Sequence, residues 1–152
     1  MAGDGPEAII FIDGASRGNP GPAGAGVVIQ TPQGDVLREI AVPIPQATNN
    51  VAEYTGLLEG LRAAEALGLK RIEVRTDSEL LHHQLKGLYR VKNPTLQRLF
   101  VEAMGRVRRF ESFAIRHIRR EGNVLADKLA SAAARQAAQP SRRPAPRETL
   151  DL

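Results

Sequence analysis

Ile9-Ile10-Phe11-Ile12-Asp13-Gly14-Ala15-Ser16-Arg17-Gly18-Asn19-Pro20-Gly21-Pro22 joins an apolar run to an acid, and the acid to a turn rich in Gly, Asn and Pro. Ile9 to Ile12 are β-branched or aromatic, so residues 7–13 read as a buried strand. Gly and Pro then stop it. A rigid strand delivers Asp13 to the edge of a core, beside a loop that can approach a ligand closely. That placement suits a metal ligand. Asp13-Gly14 is also a common turn dipeptide, and the rest of the chain decides between the two readings.

Outward from this stretch, Ala23 to Gln30 gives a second strand, and Pro32-Gln33-Gly34-Asp35 gives a turn. Val36 to Val42 is a third strand, ended by Pro43 and Pro45. The short turn argues for an antiparallel meander. Asn50 then caps a helix over Val51 to Leu67, with Glu53 at the capping-box position. Tyr54, Leu57, Leu58, Leu61 and Ala64 form its apolar face, and Gly68 stops it. Arg71 to Thr76 alternates as a fourth strand, with Asp77-Ser78 at its carboxyl end. A short helix over Glu79 to Leu85, a basic loop over Gly87 to Asn93 and a helix from Pro94 to about Arg109 follow. Phe113 to Ile118 is the fifth strand, Arg119-Arg120-Glu121-Gly122 a tight basic turn, and Asn123 caps a last helix from Val124 to about Ala138. The order β-β-β-α-β-α-α-β-α is that of an α/β fold.

The 152 residues make one domain, and 42% of them are hydrophobic, enough for a core. The chain has no cysteine, which excludes disulfides and cysteine-based zinc sites. No apolar run approaches the roughly 20 residues of a membrane span, and Met1 to Pro6 lacks a secretory pattern. A soluble cytoplasmic protein is expected, with no membrane partner. Charge is divided: residues 1–69 carry a net of −5 and residues 70–120 a net of +8. Carboxylates that hold a metal and cations that draw a polyanion would use both halves.

Four acids stand at element edges: Asp13, Glu53, Asp77 and Asp127. Each has a local explanation as a turn residue, a cap or a partner of a helix dipole. Two hard divalent cations would bring all four to one place. Mg²⁺ takes oxygen ligands and is held by carboxylates plus substrate phosphate. Two such ions about 4 Å apart clamp the attacking and leaving oxygens of a phosphodiester.

The sequence resembles ribonuclease H of type 1 in four blocks, in the family's order. They are Asp13 to Pro22, Thr48-Asn49-Asn50-Val51-Ala52-Glu53, Thr76-Asp77-Ser78 and Asn123-Val124-Leu125-Ala126-Asp127. The resemblance implies a ribonuclease H-like fold: a five-stranded mixed sheet, three strands antiparallel and then parallel ones, with helices on both faces. It implies a catalytic domain over 7–138; the N-terminus (1–6) is expected to be disordered, and the Pro/Arg-rich composition from Gln139 gives a disordered tail (139–152). It implies that Asp13, Glu53, Asp77 and Asp127 hold two Mg²⁺ ions, with Mn²⁺ as a substitute. The implied substrate is the RNA strand of an RNA–DNA hybrid, cut to 5′-phosphate and 3′-hydroxyl ends. Asn19, Asn49 and Asn50 fall where the family contacts the minor groove, Thr48 at its DNA-phosphate pocket, and Ser78 beside the metal site. No obligate protein partner is expected, and the chain is expected to be a monomer.

The sequence also departs from the family. Many members carry a catalytic histidine in a longer loop before the last helix, and here Glu121 is expected to take part of that role. Glu79 stands where some members have glutamine. A basic insertion is reduced to Tyr89-Arg90-Val91-Lys92-Asn93, in which Lys92 and Asn93 would contact phosphate and Tyr89 would pack. The resemblance therefore implies the compact subtype without the insertion. Four other readings stay open: a catalytically silent nucleic-acid binder, another nuclease of the superfamily, an interaction domain, and an enzyme that also cuts double-stranded RNA.

Overall fold

The opening apolar run forms β1 (Ala8–Ser16), with Ile10 and Ile12 fully buried on one face. In the computed structural model, which describes residues 5–139, β1 is the middle strand of a five-stranded sheet. The other elements are β2 (Gly21–Gln30), β3 (Val36–Ala47), α1 (Asn49–Ala66), β4 (Arg71–Thr76), α2 (Glu79–Leu85), α3 (Pro94–Val107), β5 (Ser112–His117) and α4 (Val124–Ala138). The sheet order is β3-β2-β1-β4-β5. β1, β2 and β3 pair antiparallel, while β4 and β5 run parallel to β1. The expected mixed sheet is therefore present.

Three strands run longer than the sequence suggests, β2 by starting two residues early at Gly21. β3 continues through Pro43 and Pro45 to Ala47 because it is an edge strand. Prolines two residues apart place their missing donors on one side of the strand, and an edge has one side that needs none. β1 continues past Asp13 to Ser16, because Gly14 and Ala15 are small enough to stay paired with Ala25 and Gly24 of β2. Of the segments expected to be disordered, residues 1–4 and 140–152 lie outside the described residues. Gly5 is described, and its carbonyl accepts from Arg71 Nε at 2.9 Å.

The core lies between the sheet and α1. Tyr54, Leu57, Leu58, Leu61 and Ala64 are buried against Ile10, Ile12, Val27, Ile72 and Val74. Each large apolar side chain buried there contributes about 1.5–3 kcal/mol. The helix starts two residues earlier than expected. Thr48 is the N-cap, its Oγ1 accepting from Val51 N at 3.2 Å, so Asn50 lies inside the first turn.

α4 covers the other face, packing on β1, β2 and β3. Its buried side chains are alanines, Ala126, Ala130, Ala133 and Ala134. β2 meets them with glycines. A Cβ at Gly26 would lie 2.3 Å from the Ala126 carbonyl, and one at Gly24 would lie 2.4 Å from that of Ala130. Helix and strand thus touch backbone to backbone. Among the described residues, no helix is long and apolar enough to cross a membrane.

Candidate active site

Asp13 and Asp77 meet because parallel strands end together. The β1–β4 ladder closes on the Ile12–Thr76 pair, and the next residue on each strand is an aspartate. Gly14 brings in the third acid. A Cβ at Gly14 would stand 2.4 Å from Glu53 N, so only glycine lets α1 press against β1 here. Glu53 lies one turn into α1 and caps nothing. Its Oε1 is buried without a hydrogen-bond partner, which removes the capping-box reading. Asp127 arrives on the first turn of α4, its N–H bonded to the Asn123 carbonyl at 3.0 Å.

Asp13, Glu53 and Asp77 offer oxygens within 4.8 Å of one another. Asp127 lines the same cleft of about 360 Å³. Asp13 is 5% exposed and Glu53 8%. Burial, and then the Asp77 charge, push the Asp13 carboxyl up to about 7. Burial, and then Asp13, hold Glu53 well above the usual carboxylate range. Among the described residues, no ion pair involves any of the four acids. Buried acids crowded together and unpaired are costly. A hard divalent cation removes that cost, and the donors are all carboxylate oxygens, as Mg²⁺ and Mn²⁺ prefer. The residues fit such ions, and the orphaned Glu53 Oε1 is the atom that most needs one.

The expected substrate residues fall into two groups. Asn49, Asn50 and Ser78 line the acidic cleft. Ser78 also caps α2, its Oγ accepting from Leu81 N at 3.1 Å. Asn19, Thr48, Asn50 and Asn93 line a second pocket of about 300 Å³. Asn19 Oδ1 accepts from Asn49 N at 2.9 Å, and Asn93 Oδ1 from Leu96 N at 3.1 Å. With both carbonyls committed, the NH₂ groups are left as donors for a ligand. Lys92 is exposed in the loop before α3 and lines neither pocket. Tyr89 stacks on His83 with ring centroids 4.5 Å apart.

Glu121 does not join the acids. It lines a separate apolar cleft with Phe11, Val28, Gln30 and Leu125. Its neighbour Arg120 lines the acidic cleft instead. The short 3₁₀ turn over Arg120–Gly122 sends consecutive side chains to different sides. Sequence reading passed over Arg120 because a basic turn ordinarily reads as solvated charge. Asn123 stands at the expected N-cap position of α4, but its side chain makes no capping bond and turns inward to Asp77.

Together, the sheet order and the acids define an α/β protein with a cluster of carboxylates, suited to a divalent cation, where two parallel strands end. Comparisons with known proteins place the fold in a family. Residues 11–133 match the family model described as "Reverse transcriptase-like". A bifunctional protein of Mycobacterium tuberculosis is 44% identical over 86% of this chain and 36% of its own length. Its solved N-terminal RNase H domain superposes with TM-score 0.86 at 43% identity, covering 88% of this chain and 97% of the domain. Ribonuclease HI of Halobacterium salinarum is 42% identical over 81% of this chain and 62% of its own length. LC11-RNase H1, isolated from compost, was solved in complex with an RNA/DNA hybrid. It shows TM-score 0.83 and 41% identity, covering 87% of this chain and 99% of that one. The chain therefore belongs to the ribonuclease H family, type 1. It spans about a third of the mycobacterial relative's length and under two thirds of the halobacterial one's.

Proposed function

We propose that this chain hydrolyses the RNA strand of RNA–DNA hybrids, leaving 5′-phosphate and 3′-hydroxyl ends. The observation that carries the reading is the convergence of four unpaired carboxylates from four elements, with a buried Glu53 oxygen that has no protein partner. Two Mg²⁺ ions, or Mn²⁺ in their place, held by Asp13, Glu53, Asp77 and Asp127 would activate water and neutralise charge on the leaving 3′-oxygen.

The chain's own residues orient the substrate. Asn49 and Asn50, on the rim of the acidic cleft, donate to or accept from 2′-hydroxyls and base edges without adding charge. Asn19, Thr48 and Asn93 form a polar pocket suited to a phosphate of the DNA strand. Arg120 supplies a cation beside the acids, where an entering phosphate needs one. The hybrid bound to the compost enzyme, a relative with the same fold and 41% identity, supports this substrate class. A monomer acting in the cytoplasm completes the proposal.

The test is cleavage of one sequence as RNA–DNA hybrid, single-stranded RNA, double-stranded RNA and double-stranded DNA in Mg²⁺, with wild type beside Asp77→Asn. Hybrid-selective cutting that the variant loses is expected. Equal activity in both proteins would place the chemistry elsewhere. No cutting in Mg²⁺ or Mn²⁺ would point to a silent binder.

A further inference from the structure

Asn123 is 1% exposed and bonds directly to one of the four acids, Asp77. Its Nδ2 donates to Asp77 Oδ2 at 3.1 Å and to the Ile12 carbonyl at 2.8 Å, next to Asp13. Its main-chain carbonyl accepts from Asp127 N at 3.0 Å, as the first bond of α4. One residue thus touches the side chain of one ligand, the strand that presents a second and the helix turn that presents a third. The amide orientation follows from its neighbours: a carbonyl and a carboxylate both accept, so both must face NH₂.

The Asn123 Oδ1 is buried and has no hydrogen-bond partner. An amide kept solely for stability would satisfy both ends, or would be replaced by an apolar side chain. Here only the donor end is used, and it is aimed at a carboxylate that has like charges for neighbours. An NH₂ group fixes that carboxylate without neutralising it. Arginine or lysine in its place would pair the charge and compete with a metal.

We propose that Asn123 is a positioning residue for the metal site: it pins Asp77 and the end of β1 in the ligating arrangement before a cation arrives. The inference rests on the metal-dependent reading given above. Outer-sphere donors to metal-binding side chains are worth about 10–100-fold in affinity.

Calorimetric titration with Mn²⁺ alone, without nucleic acid, tests it on wild type, Asn123→Ala and Asn123→Asp. Asn123→Ala should weaken Mn²⁺ binding about tenfold or more. Asn123→Asp, which keeps the shape but turns a donor toward Asp77 into an acceptor, should weaken it further. A structural role alone would lower the melting temperature and leave Mn²⁺ affinity within twofold, and that result would overturn the proposal. A wild type that binds no Mn²⁺ would sink the metal reading itself, which separates the two failures. A second measurement needs no variant. In ¹⁵N-labelled wild type, the Asn123 side-chain NH₂ signals should exchange slowly with solvent before Mg²⁺ is added, and shift with the same affinity as calorimetry gives for Mg²⁺. Rapid exchange, or indifference to Mg²⁺, would refute the proposal even if both variants fail to fold.

Discussion

Asp13 carries a proton at a pH where an ordinary aspartate has long lost it. Its carboxyl is raised to about 7 in the folded chain against an ordinary 3.8, so between about pH 4 and 7 the folded chain binds more protons than the unfolded one. Stability of the metal-free protein should therefore fall as pH rises through that window. Urea melts in EDTA at pH 5 and pH 7.5 should show the higher midpoint at pH 5. Metal affinity should run the other way, rising toward and past pH 7, because ligands bind only when deprotonated. Asp77→Asn removes the like charge nearest in effect to Asp13. It should abolish cleavage yet stabilise the metal-free fold by about 1 kcal/mol, an opposite pair of signs that a folding defect cannot produce. At this scale the sequence disclosed all four acids, since each sits in a motif at an element edge. It did not disclose Arg120 against Glu121. Which of two adjacent turn residues faces the cleft depends on backbone angles that neither composition nor spacing records.

The elements that hold the acids are placed by what they lack. Gly14 admits α1, and Gly24 and Gly26 admit α4. Gly26→Ala would drive a Cβ to 2.3 Å from the Ala126 carbonyl and push α4 outward. We expect a loss of about 1–3 kcal/mol, measured by chemical denaturation, together with weaker Mn²⁺ binding, since α4 carries Asp127. Thr48→Ala should cost about 1 kcal/mol as a lost cap, whereas Asn50→Ala should leave the stability of α1 nearly unchanged. Element order, the extents of β4 and α2, and the apolar face of α1 were legible because their periods are unambiguous. The ends of β1 and β3 were not. Pro43, Pro45 and Gly14 are stop signals locally, and only sheet position makes them tolerable: an edge for the prolines, a helix pressed close for the glycine. The cap of α1 was misjudged for a related reason, since Thr48, Asn49 and Asn50 are all competent caps and tertiary contacts choose among them.

Across the whole molecule, charge and site are complementary. The acids come from both halves of the chain, while the excess of cations lies within residues 70–120. Hybrid binding by the inactive Asp77→Asn variant should weaken as salt rises, and Arg120→Ala should reduce the slope of log affinity against log salt by about one. Filter binding across a salt series reads that slope directly. Mg²⁺ at about 100 times its dissociation constant should raise stability by about 2.7 kcal/mol, read as a shift in the urea midpoint.

The backbone contact between β2 and α4 also bears on synthesis. The two partners are about 100 residues apart in the chain and leave the ribosome at different times, α4 roughly 5–20 s later at ordinary elongation rates. Until then a nascent chain carries Asp13, then Glu53, then Asp77, but neither Asp127 nor the Asn123 amide. Its glycine-floored sheet face has no cover. The acidic site is thus assembled by α4, and an incomplete chain holds most of the acids without the geometry to use them.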